Sequence, residues 1–215
     1  MCEILTNLDM NYGVFRDIFI HPKKAFVEIT ENEKEYFGIA LIIVGIQLIV
    51  GLFELGNLLS SLMPLTENKT IGYYSYLLIS ATLGPFLIAW LVLTVSKKLN
   101  KTKSNFKRVF SAIQFAYVPS LLLGTPIQAI ILALFSENIS MENFINTIPI
   151  IAATSIPFTI WSIILWVMAC KQSLQLNTSN VIAVAILVII ITAVIFTPIH
   201  ILLNGSPFQE GWFEL

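Results

Sequence analysis

The side chains able to carry chemistry in this 215-residue chain are few and scattered. Histidine occurs as His21 and His200, and cysteine as Cys2 and Cys170. A structural or catalytic metal site needs several such ligands brought together, and these four are far apart along the chain. No HExxH, GxSxG, Walker A or GxGxxG pattern occurs. The expectation is therefore no catalytic residue, no metal and no cofactor. His21, beside Pro22, reads as a helix-entry residue and His200 as an interfacial histidine. Cys170 reads as a small buried thiol at a helix end, acylation of that thiol being the alternative. Three glutamines, Gln47, Gln114 and Gln128, stand inside strongly apolar stretches, joined by the hydroxyls of Ser80, Thr82, Thr154, Ser155, Thr159 and Thr192. Such groups either hydrogen-bond between helices, at about 0.6 kcal/mol each, or line a passive transport site at disturbed helices.

The elements that position these groups follow from composition. Apolar residues make up 56% of the chain and charged residues 12%, about half the charged fraction of an ordinary soluble domain. No soluble fold of this size has enough interior for that much apolar surface. Disorder, nucleic-acid binding and a disulfide-stapled secreted domain are excluded on the same grounds. A helix needs about 20 apolar residues to cross the hydrocarbon core. Five stretches qualify, over residues 37–55, 71–95, 109–135, 148–170 and 181–203. Glu54 is the one charged residue within them. The runs are too long and continuous for barrel strands, so the fold class is all-α, a polytopic bundle of five transmembrane helices. Pro119 and Pro126 fall inside the third span and predict a tilt or kink there.

Eleven of the twelve basic residues lie before the first span, between the second and third, or between the fourth and fifth; Lys69 is the exception. The positive-inside rule then places the N-terminus in the cytoplasm and the C-terminal tail, 204–215, outside. The localisation is an integral, multi-pass membrane protein, in the cell membrane of a prokaryote or an ER/Golgi-type membrane of a eukaryote. Residues 1–36 form a cytoplasmic segment that lacks the basic leader and apolar run of a signal peptide. Within it Phe15, Ile18, Phe19 and Phe26 share an apolar stripe, and Pro22 reads as the first residue of a second short helix. That stripe either lies in the headgroup layer or packs on the bundle; a helical hydrophobic pattern does not separate the two. Acids outnumber bases by seven to four over residues 1–36, so strong attraction to anionic lipid is not expected.

Several of these segments resemble one family. "DIFIHPKKAF" before the first span, "KSNFKRVFSAIQFAYVP" entering the third, and "IWSIILWVMACKQSLQLNTSNVIAVAIL" over the last hairpin are similar to the prokaryotic branch of the Yip domain family, the Ypt/Rab-GTPase-interacting proteins. The resemblance spans roughly residues 14–197 and implies five helices, a cytoplasmic N-terminus and an external or lumenal C-terminus. The eukaryotic acidic-Leu-aromatic-Gly-Pro signature is not evident near Glu54-Leu55-Gly56-Asn57, and Ala116 stands in the third-span motif where glycine is usual. These departures argue against Rab-type GTPase binding.

The expected function is a non-enzymatic, membrane-organising or partner-recruiting scaffold. Its expected surfaces are Phe15, Ile18, Phe19 and Phe26 together with the basic loop Lys97, Lys98, Lys101, Lys103, Lys107 and Arg108. The alternative is a small permease or channel using Gln47, Gln114 and Gln128. Expected partners are the lipid bilayer and a protein at the cytoplasmic face, with no nucleic acid. Gly45, Gly51, Ser80 and Gly84 permit close helix approach, within the bundle or in a homo-oligomer. A weak repeat relates Pro85–Trp90 to Pro157–Trp161, and Ser104-Asn105 to Ser179-Asn180, as if two parallel hairpins had been duplicated.

Overall fold

The computed structural model describes the backbone of residues 13–62, 67–100, 102–127, 130 and 141–204. A short helix α1 over residues 13–20 is followed by α2 (Pro22–Glu31), α3 (Glu33–Leu62) and α4 (Glu67–Asn100). Then come α5 (Phe106–Ala116), a π-helical turn (Ser120–Gly124), α6 (Met141–Leu174) and α7 (Thr178–Asn204). No strand occurs among the described residues. Among the described residues, five stretches are long and apolar enough to cross a membrane: Glu33–Leu52, Leu78–Asn100, Phe106–Ile127, Ile156–Leu174 and Thr178–Ile199. Each overlaps the span expected at its place in the sequence.

The third span is the broken one. Helix α5 stops at Ala116, and Tyr117 donates its N–H to Gln114 and Phe115. Pro119 has no N–H to continue the ladder. The chain resumes in a π-helical turn, closed by the Thr125 N–H bonding back to Ser120. The π-turn packs on α6, where a Cβ at Gly124 would stand 3.5 Å from Phe158.

Helix α5 is the hub, in contact with α2, α3, α4 and α6. Every residue from Val109 to Ala116 is buried. In the most apolar 18-residue stretch of the third span 56% of residues are buried, against 11% in that of α7, whose mean hydropathy of 3.0 is the highest of the five. The hub takes the most protein contact; the most apolar helix is the one left to face lipid. Helix α4 packs on α7 across Gly84, whose added Cβ would meet Phe196 at 4.0 Å. Among the described residues nothing lies within 4 Å of a Cβ added at Gly45 or Gly51.

Among the described residues the buried core is gathered at one end. Its members include Tyr36 and Ala40 early in α3, Val92 and Ser96 late in α4, Ala169 and Leu174 late in α6, and Val181 and Val184 early in α7. The N-terminal helices complete it with Val14, Ile18, Ala25, Phe26 and Ile29, each 0% exposed. Toward the other end, described side chains such as Ile49, Leu83, Ile156 and Val194 are exposed and apolar, as lipid-facing residues are.

The two short links on the capped end are closed by side chains. Asn105 accepts from the Arg108 N–H and opens α5, while Asn177 accepts from the Asn180 N–H and opens α7. The capping asparagines are therefore Asn105 and Asn177. The repeat written in the sequence would have aligned Asn105 with Asn180, so its loop portion is not carried by the caps. Thr102 and Ser104 donate their hydroxyls to the carbonyls of Leu174 and Ser173, each at 2.7 Å, satisfying two of the orphan acceptors at the end of α6. The α6 end turns through Gln175 at φ 56°, and the Leu176 N–H bonds back to Lys171 at 3.3 Å. This is the Schellman arrangement with glutamine where glycine is commonest. Gln175→Gly is expected to raise stability by about 0.5–1 kcal/mol by relieving the left-handed backbone, readable as a higher unfolding midpoint in micelles.

Candidate functional site

The capped end brings together most of the residues that the sequence singled out, and it is built from the N-terminal segment upward. Helices α1 and α2 meet at His21, whose extended φ of −134° makes the elbow, with Pro22 at the first turn of α2. The His21 N–H still bonds to the Asp17 carbonyl at 2.7 Å and the Ala25 N–H to the His21 carbonyl at 3.2 Å, so the elbow keeps its backbone satisfied. Asp17 clasps it from the inside: Lys24 donates to one carboxylate oxygen at 2.7 Å and Arg16 to the other at 3.2 Å. The Lys24 hydrogen bond, aided by that from Arg16, holds the Asp17 carboxyl below the ordinary aspartate range, against the opposing effect of burial.

The sign of the linkage is that of a depressed acid. The contribution of Asp17 is complete above the unfolded value, about 4, and is lost as pH falls through the lower folded value. Protection of the amides of residues 13–31 against hydrogen exchange, relative to their intrinsic rates, is expected to hold at pH 6 and to weaken as the pH falls below the ordinary aspartate range. In Asp17→Asn that acid-dependent step is expected to disappear.

Aromatic side chains bind the segment to the hub. Phe15 lies 5.4 Å from Phe115 between ring centroids, and Tyr36 meets the same ring edge-on at 5.5 Å. Phe110 stacks with Phe86 at 4.8 Å and with Phe106 at 5.6 Å. The Tyr36 hydroxyl donates to Glu28 at 2.9 Å and ties α2 to α3.

The apolar stripe is consequently used inside the protein. Ile18 and Phe26 are fully buried, and Phe15 and Phe19 are half-buried against the core. This departs from the expectation that all four form a membrane or partner surface: Ile18 and Phe26, packed inside, are not free for lipid, and Phe15 and Phe19 keep part of their surface exposed.

The basic loop does reach the surface. Lys97, Lys98, Lys103 and Lys107 are exposed, and the Lys107 ammonium lies 5.4 Å from the Phe37 ring centroid. Arg108 is half-buried, and its Nε finds no hydrogen-bond partner among the described residues. Lys101 lies outside the described residues. Asn105, besides capping α5, donates its amide to both Glu33 carboxylate oxygens at 2.7 and 2.8 Å, locking the loop to the start of α3.

The glutamines are not brought into one described cluster. Gln114 is 1% exposed on the hub, and its Oε1 is unpartnered among the described residues, as is the Ser111 Oγ one turn before it. Gln47 is half-buried on α3, and Gln128 lies outside the described residues. A cavity of about 580 Å³ lies instead beside the π-turn, lined among others by Tyr117, Ser120, Thr159, Ser162, Trp166 and Thr192. The Ser162 and Thr192 hydroxyls are buried without a partner among the described residues. Sequence reasoning missed Ser111 and Ser162; the nearby proline break was the signal for a cavity at this depth.

A second hollow, of about 500 Å³, lies at the elbow between His21, Pro22, Lys23, Lys24, Val27 and Met168. Among the described residues no group of three or more His, Cys, Asp or Glu side chains is placed to hold a metal ion. Cys170 is fully buried, the packed placement expected of a structural thiol.

The family model of the Yip1 domain matches residues 16–198, from α1 to a point late in α7. No curated protein and no solved structure matches the chain significantly. With most of its length matched, and with five helices fit to span a membrane around a buried third span, the chain belongs to the Yip1 domain family of multi-pass membrane proteins.

Proposed function

We propose that this Yip1-family protein is a non-enzymatic membrane scaffold whose capped, cytoplasmic end recruits a protein partner with an acidic surface. The observation that carries the reading is the packed cap formed at that end by the described core residues, with Lys97, Lys98, Lys103 and Lys107 exposed beside it. A packed cap holds those charges in fixed relation, whereas their role in setting topology would need no packing at all. Exposed charges of one sign steer an oppositely charged partner and make its association salt-dependent.

The test is photo-crosslinking from a reactive residue placed at Lys103 in native membranes. A discrete adduct is expected, weakened by added salt and lost in the Lys97→Glu, Lys98→Glu, Lys107→Glu triple variant. An adduct indifferent to both salt and charge reversal would contradict the reading.

The buried, unpartnered Gln114 Oε1 and the hydroxyl-lined cavity near Pro119 support a second reading, that of a small permease. Selective flux in proteoliposomes that falls in Gln114→Leu would favour it over the scaffold.

A further inference from the structure

We infer that the elbow groove is a binding site for one anionic phospholipid, its acyl chain in the groove and its phosphate at the cationic rim. The groove is lined by His21, Pro22, Lys23, Lys24, Val27 and Met168, and its walls are almost wholly carbon. Lysine stems commonly cover apolar surface while the ammonium stays in the polar layer, so the charges stand at the rim.

Depth agrees with this assignment. Met168 lies three residues before the exposed Lys171 on α6, about 4.5 Å further into the helix at 1.5 Å per residue. The groove floor is thus about where acyl chains begin, if Lys171 marks the headgroup level. Ile20, 60% exposed at the end of α1 and next to the elbow, adds an apolar contact suited to the same boundary.

Charge selects the headgroup. Around the elbow stand Arg16, Lys23 and Lys24 against Asp17, which is already engaged by Arg16 and Lys24. Lys23 is exposed and has no ion-pair partner among the described residues. Two of the acids that make residues 1–36 net acidic are turned away from the elbow: Glu28 toward the Tyr36 hydroxyl and Glu33 toward the Asn105 amide. Counting charge along the segment therefore hides a local cationic rim. A headgroup with a phosphate and no ammonium fits that rim, each lysine near an anionic surface being attractive.

The site does not depend on the scaffold reading, since it concerns the lipid beside α2 and α6 and not the Lys97–Lys107 face. The experiment is native mass spectrometry of the full chain released from micelles supplied with equal phosphatidylglycerol and phosphatidylcholine. One phosphatidylglycerol is expected to be retained at least threefold over phosphatidylcholine. Lys23→Glu should lower that retention about fivefold, and Met168→Trp, which fills the groove floor, should lower retention of both lipids. Lys98→Glu should leave it unchanged. Equal retention by wild type and Lys23→Glu would overturn the inference, as would an equal loss in Lys98→Glu, which marks diffuse surface charge. Displacement by glycerol 3-phosphate at the lipid's own concentration would also overturn it, because the site would then take a free phosphate.

Discussion

Replacing Phe115 by alanine is expected to cost about 3 kcal/mol, the usual range for truncating a buried phenylalanine, and to loosen the N-terminal helices before the bundle itself unfolds. Phe115 is fully buried on the hub and is shared by Phe15 from α1 and Tyr36 from α3. Its removal breaks two aromatic pairs, each worth about 0.5–1.5 kcal/mol beyond burial, and leaves a void where three elements meet. Thermal unfolding in micelles and limited proteolysis after residue 31 measure the two parts. Faster cleavage with a lowered midpoint is expected. Ile42→Ala, at a site 63% exposed to lipid on α3, is the control and should change neither. An unaltered cleavage rate in Phe115→Ala would mean that the N-terminal helices are held by other contacts.

Asn105→Ala is expected to cost about 1–2 kcal/mol, the range for loss of an N-cap. The side chain accepts from the Arg108 N–H and donates to Glu33 at 2.7 and 2.8 Å. Asn105→Asp separates the two roles. It retains a cap acceptor but sets two carboxylates against each other, so it should also destabilise near neutral pH and recover as the acids are protonated. Unfolding midpoints measured across pH would distinguish these outcomes, and an Asn105→Asp variant as stable as wild type at pH 7 would contradict the link to Glu33.

The parts of the fold legible from the residues were those set by bilayer thickness. A run such as Phe37–Leu55 has one economical structure in hydrocarbon, a helix with its backbone bonds satisfied internally. A disturbance of the third span was also legible, as a tilt or kink, because Pro119 removes a donor wherever it stands; that α5 stops at Ala116 and the chain resumes in a π-turn was not. The destination of the N-terminal stripe was not legible. Phe15, Ile18, Phe19 and Phe26 have the same spacing whether they meet lipid or the Phe115 ring, and only the position of α5 distinguishes the two. The elbow groove was hidden for a related reason: Met168 is more than 140 residues from Lys23 in sequence, and of the acids counted over residues 1–36, Glu28 and Glu33 are turned toward Tyr36 and Asn105. Gln114 was singled out correctly as a polar residue in an apolar stretch, but its lack of a partner belongs to the packing of the hub and not to any local pattern.

The functional account rests on the capped end of the bundle facing the cytoplasm. Labelling of single cysteines with a membrane-impermeant maleimide in intact cells tests this directly. The background carries Cys2→Ser, and the remaining Cys170 is buried. Lys103→Cys and Lys23→Cys should resist labelling in intact cells and react once the membrane is opened, while Lys69→Cys should label from outside. Labelling of Lys103→Cys in intact cells, with Lys69→Cys protected, would contradict the account.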